Sequence, residues 1–115
     1  MAAAELTFDT SGAGIGQPVV APTKGINFYE ELPGDNEVEI FRVTSDASGD
    51  WFYSRRFYYI KSVMVQNHGA SFATGVSRDP PKITITQGSA NGPAKITIAH
   101  TATDECFSIR LMGDM

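Results

Sequence analysis

The 115-residue chain has the length of one domain with its own core. It is 42% apolar and only 19% charged, and glycine, serine and threonine make up the difference, a mixture that suits short strands joined by frequent turns. A net charge of −4 argues against a surface that holds nucleic acid through its phosphates; one cysteine rules out an internal disulfide framework and a cysteine-based zinc site; no run of 18 apolar residues spans a membrane.

In chain order, the opening MAAAELTFDTSGAGIG has neither the basic start nor the apolar run of a secretory signal. Residues 5–10 read as a short strand. SGAGIGQP follows, whose glycines lack the preceding strand and following helix of a dinucleotide loop, with Pro18 close behind. Residues 1–24 are therefore expected to form an extended or flexible arm, and 25–115 a single β-domain. Period-two alternation predicts strands over 25–31, 37–44, 51–65 (broken near Arg55 and Arg56), 71–76, 82–87, 94–100 and 106–112. The signals LPGDN, SDASGD, QNHG, SRDPP, QGSANGP and HTATDE mark the turns between them. Many short strands at this spacing predict an all-β fold: a β-sandwich, jelly-roll or immunoglobulin-like, or a small barrel, with an extended N-terminal arm.

The doubled KITI of residues 82–98 is expected to form a hairpin. A six-residue loop over GSANGP keeps Ile83, Ile85, Ile96 and Ile98 on one face, as does a two-residue turn on Asn91 and Gly92; Pro93, which lacks an N–H, favours the longer loop. Placing His100 opposite Glu105 then faces Ile98 with Phe107 and Ile96 with Ile109, which predicts a three-stranded meander. In that register Cys106 points away from His100, so a Cys–His nucleophilic pair is not expected and Cys106 reads as a small buried residue. Glu37 and Glu39 alternate with Val38 and Ile40 and read as the solvent face of their strand. DASGD faintly resembles a calcium loop but lacks its spacing and distal glutamate, and reads as a turn. No catalytic group, cofactor site or metal site is expected.

DWFYSRRFYYIK crowds six rings and two arginines into one stretch, either a strand buried on both faces or an aromatic surface that meets another chain. Rings with Arg55 and Arg56 can also stack single-stranded bases, but the acidic balance of the chain opposes that; Trp51, Tyr53 and Tyr59 can instead form a sugar platform. The interface candidates are Leu6, Phe8 and Ile15 on the arm and Trp51, Tyr53, Arg55, Arg56 and Tyr58 in the aromatic stretch.

The C-terminal half, YYIKSVMVQNHG…KITITQGSANGPAKITIAHTATDECFSIRLMGDM, resembles small proteins encoded in the head-gene clusters of tailed bacteriophages. The shared pattern is a strand of the I-x-S-V-x-V kind, an alternating hairpin, and a last strand of the F-x-I-x-L-x-G kind, here Phe107, Ile109, Leu111 and Gly113. The resemblance implies a non-enzymatic virion protein assembled in the host cytoplasm. It would be a decoration (cement) protein bound to the major capsid protein or another virion protein, or a small head–tail or tail component. A homo-oligomer is expected, with no nucleic acid or membrane as partner. A carbohydrate-binding β-sandwich is the alternative.

Overall fold

A computed structural model of the chain describes residues 3–8, 24–32, 37–69, 79–90, 92–100 and 105–114. Seven strands form among the described residues: β1 (Gly25–Leu32), β2 (Val38–Ser45), β3 (Asp50–Tyr53), β4 (Tyr59–Gly69), β5 (Lys82–Thr86), β6 (Lys95–Ala99) and β7 (Glu105–Asp114). They pair antiparallel in two sheets, a four-stranded one in the order β1-β2-β7-β4 and a three-stranded one in the order β3-β6-β5. No helix occurs among the described residues. The strand expected over 71–76 and the candidate Ile15 lie outside them.

Alternation decides what each sheet buries. Phe41 and Val43 of β2 and Phe107, Ile109 and Leu111 of β7 point inward and are fully buried. They meet Phe52 of β3 and Ile96 and Ile98 of β6 in one core, with Val63, Val65, Ile83 and Ile85 at its margin. The Phe41 and Phe52 rings join the sheets at 4.7 Å between centroids.

The KITI hairpin pairs Ile83 with Ile98 and Ile85 with Ile96, the register the six-residue loop requires. The meander does not form. β7 leaves the hairpin's sheet and inserts between β2 and β4, so Cys106 pairs with Thr44 and Gly69, not with Ala99. Both arrangements point the same apolar side chains inward, so face parity alone does not distinguish a neighbour in the sheet from a partner across the core.

Each side of the two-sheet stack has its own closure. On one side, residues 4–7 lie between the edges of β3 and β1. Trp51 N–H donates to the Ala4 carbonyl (3.2 Å), Leu6 N–H to the Trp51 carbonyl (2.6 Å), and Ile26 N–H to the Thr7 carbonyl (2.7 Å). Leu6 is 2% exposed and belongs to the core. On the other side, the Gln87 side chain imitates a peptide group, accepting from Ile60 N–H (2.8 Å) and donating to the Ile60 carbonyl (3.1 Å).

Gly113, buried on β7, allows β4 and the turn before it to close on it. A Cβ there would run into the Tyr59 carbonyl and lie 3.0 Å from Phe57 Cγ. Gly113→Ala is expected to cost about 2 kcal/mol through overpacking. Thermal unfolding should show it as a melting point lower by roughly 10 °C.

Candidate docking surface

The chain crosses from one sheet to the other between β3 and β4, and a buried carboxylate shapes that crossing. Ser54, 1% exposed, accepts the N–H groups of Phe57 (2.8 Å) and Arg56 (3.3 Å) on its hydroxyl oxygen and donates its proton to Glu39. Glu39 also accepts from Arg55 N–H (3.1 Å) and from the Tyr29 hydroxyl (2.5 Å). This corrects the solvent-face reading of Glu39, which is 0% exposed. It shares strand parity with Phe41 and Val43, a signal present in the sequence that outweighs its alternation with Val38 and Ile40. Four donors at or near the carboxylate make burial tolerable where an unpaired charge would be expelled.

The single proton of Tyr29 lies between Glu39 and Glu31 Oε1 (2.7 Å). Burial, and then these two carboxylate acceptors, push its phenol well above the ordinary range. Tyr29 and Glu39 carry the geometry of this region, yet neither stood out in the aromatic-rich stretch because both come from other strands.

The arginine pair divides. Arg56 folds back, donating through Nη2 to the Val38 carbonyl (2.9 Å), with Nε 3.8 Å from Glu31 and 3.9 Å from Glu39; its side chain is 16% exposed. Arg55 turns outward, its guanidinium 4.9 Å from the Phe8 ring centroid and 5.3 Å from that of Tyr29. The Phe8 and Tyr29 rings themselves meet edge to face at 6.1 Å. This stack separates two shallow grooves of about 380 and 350 Å³, the first against Phe28 and Glu31, the second against Tyr53 and Thr7.

Of the sequence candidates, Phe8, Tyr53 and Arg55 therefore converge on one exposed surface, with Phe8 and Tyr53 each 41% exposed. Trp51 shares the outer face of β3 with Tyr53 and lies half-buried under Lys95, whose Nζ is 4.7 Å from its ring centroid. Tyr58 is exposed at the far end of the turn, outside the stack. Leu6 lies in the core, and Glu39, Glu31 and the Val38 carbonyl hold Arg56, so neither joins that exposed surface.

A second polar cluster sits at the opposite end of β2. Ser45 Oγ is 2.8 Å from His100 Nε2, and His100 Nδ1 is 3.0 Å from Glu105 Oε1, in a direction poorly aligned for a hydrogen bond. Asn67 donates to Glu105 Oε2 at 2.7 Å. The order serine, histidine, carboxylate is that of a hydrolase triad. The Ser45 hydroxyl, however, is 0% exposed and donates to Asp50 Oδ2 at 2.7 Å, while Glu105 is 3% exposed, so no substrate reaches them in this conformation. His100 and Glu105 were expected as a cross-strand pair of the meander; they meet although β6 and β7 lie in different sheets, and Ser45, far away in sequence, was not legible as their neighbour.

In the turn of DASGD, the Lys24 ammonium contacts both carboxylates. Its Nζ lies 2.5 Å from Asp46 and 3.4 Å from Asp50. Gly49, at φ +96°, supplies the left-handed residue the turn needs. No group of three or more His, Cys, Asp or Glu side chains with metal-binding geometry occurs among the described residues. Cys106 is buried, its Sγ 3.6 Å from Thr44 Oγ1. Protein-family models, curated proteins and solved structures yield no match to this chain.

Proposed function

We propose that the chain is a non-enzymatic structural protein of a tailed-phage virion, a β-sandwich that docks on the major capsid protein and stabilises the shell as a cement or decoration protein. The observation that carries this reading is the Phe8–Arg55–Tyr29 stack with Tyr53 beside it. Tyrosine and arginine are the residue types that dominate interface energetics, and a surface already fixed in place loses little entropy when it binds. The buried Glu39 supplies that fixing, through Arg55 N–H on one side and Tyr29 on the other. Binding only the assembled shell would stabilise the shell by mass action.

Sedimentation with bare capsids that lack this protein is the test. The wild-type chain should co-sediment at micromolar concentration. The double variant Tyr53→Ala/Arg55→Ala should lose roughly 100-fold or more in affinity, two side chains of hot-spot type being removed. Its melting point should stay within a few degrees of wild type, because both side chains are exposed. Equal binding by wild type and variant, or none by wild type, rejects the reading.

Trp51 and Tyr53 side by side on β3 support a second reading, a carbohydrate-binding module. Titration with oligosaccharides should then change the emission of the single tryptophan, and an unresponsive glycan panel rejects it.

A further inference from the structure

We infer that residues 3–8 are an exchangeable strand, which a second copy of this chain can supply to the slot between β1 and β3. The structure itself shows what fills the slot. Ala4, Leu6 and Thr7 make backbone bonds to Trp51 and Ile26, Leu6 enters the core, and Ala4 N–H donates to Asp50 Oδ1 at 2.8 Å. Phe8 then completes the outer stack with Arg55 and Tyr29. Every one of these partners lies on β1, β3 or the turn after β3. A segment arriving from another copy meets the same partners in the same positions.

Direction and length allow such a delivery. Glu5 and Phe8 bridge Trp51 and Ile26 in parallel, so residues 3–8 run alongside β1 in its own direction and are not the other arm of a hairpin with it. The fifteen residues 9–23 span about 50 Å when extended, against a longest molecular dimension of 36 Å. They reach a neighbouring slot as readily as their own. Exchange of an identical element is a low-cost route to an oligomer, and which slot is filled depends on the local concentration of copies. In an exchanged pair each copy contributes Leu6 to the other's core and Phe8 to the other's docking surface.

Exchange needs no capsid, so its test stands apart from the sedimentation above. A tagged Phe8→Cys variant and an untagged Arg55→Cys variant of the full chain are mixed at high concentration and treated with a short bis-maleimide. The native Cys106 is 1% exposed and does not compete. The mixed cross-link, twice the 12.4 kDa of one chain, should exceed either like-with-like cross-link several-fold. The double variant Phe8→Cys/Arg55→Cys should give the intrachain product on dilution. A mixed product no more abundant than the like-with-like ones up to millimolar concentration overturns the exchange.

Discussion

Replacing Glu39 with alanine is expected to destabilise the fold by about 3–5 kcal/mol, the range for removing one member of a buried charged network. The carboxylate is fully buried, so its loss strands the Ser54 hydroxyl, the Arg55 N–H and the inner side of Tyr29 without water to replace it. Glu39→Gln tests the chemistry more sharply, since it preserves volume. Ser54 donates to one carboxylate oxygen, and Tyr29 and Arg55 donate to the other. A glutamine presents an N–H₂ to one of these sets, so at least one donor faces a donor. Glu39→Gln should therefore fall between wild type and alanine in denaturant unfolding, well short of neutral.

Tyr29 supplies a local readout of the same substitution. In the folded wild type its phenol is held above the ordinary range, first by burial and then by hydrogen bonds to Glu39 and Glu31. A raised folded-state pKa stabilises the protein fully below the unfolded phenol value near 10 and is lost as pH rises above it. In Glu39→Ala one acceptor is gone while burial and Glu31 remain. Ultraviolet titration should show one tyrosine ionising at lower pH than in wild type but still later than an exposed phenol. An unchanged titration curve would show that Glu39 does not hold Tyr29.

Local patterning made the strands legible and left their assembly open. The alternation of Ile83, Ile85, Ile96 and Ile98 specified a hairpin and the face it buries, but parity allowed both a six-residue loop and a two-residue turn on Asn91 and Gly92; Pro93 beside that turn favoured the longer loop, the register that forms. The break near Arg55 and Arg56 was legible too, since two charges interrupt an apolar rhythm. The placement of β7 was not: Phe107 and Ile109 satisfy their burial equally well beside β6 or across the core from it. The docking surface shows the same division. Tyr53 and Arg55 were visible as ring and cation in one stretch, whereas Phe8 and Tyr29 join them through contacts distant in sequence. Glu39 lay between the two cases, its parity with Phe41 and Val43 competing with the ordinary expectation that a glutamate faces water.

Replacing Asp50 with alanine is expected to cost about 3 kcal/mol and to loosen residues 3–8 before anything else, since a fully buried carboxylate bonded on every side leaves stranded donors behind. Asp50 accepts from the Ser45 hydroxyl (2.7 Å), Ala4 N–H (2.8 Å), Ala47 N–H (3.2 Å) and the Lys24 ammonium (3.4 Å). Burial alone would raise its pKa; the bond from Ser45, then that from Ala4, the Lys24 charge and the bond from Ala47 outweigh burial and hold it below the ordinary value of 3.8. A lowered folded-state pKa means that the unfolded chain binds the proton more readily. The stabilisation is therefore complete above that ordinary value and disappears as pH falls through the folded one. Lys24 has the opposite sign: its hydrogen bond to Asp46, reinforced by the charges of Asp50 and Asp46 against burial, raises its pKa above 10.5, so its contribution holds below that value and fades in strong alkali. Unfolding curves between pH 2 and 5 should thus be flatter for Asp50→Ala than for wild type, and parallel curves would remove Asp50 as the acid-sensitive group. Hydrogen exchange separates the local effect from the global one. The Leu6 amide, bonded to the Trp51 carbonyl, should lose protection in Asp50→Ala beyond the global loss of stability, while the amides of Phe107 and Ile109 in the central strand follow that global loss alone. Equal loss at all three sites would mean that Asp50 supports the whole core and not the N-terminal strand in particular.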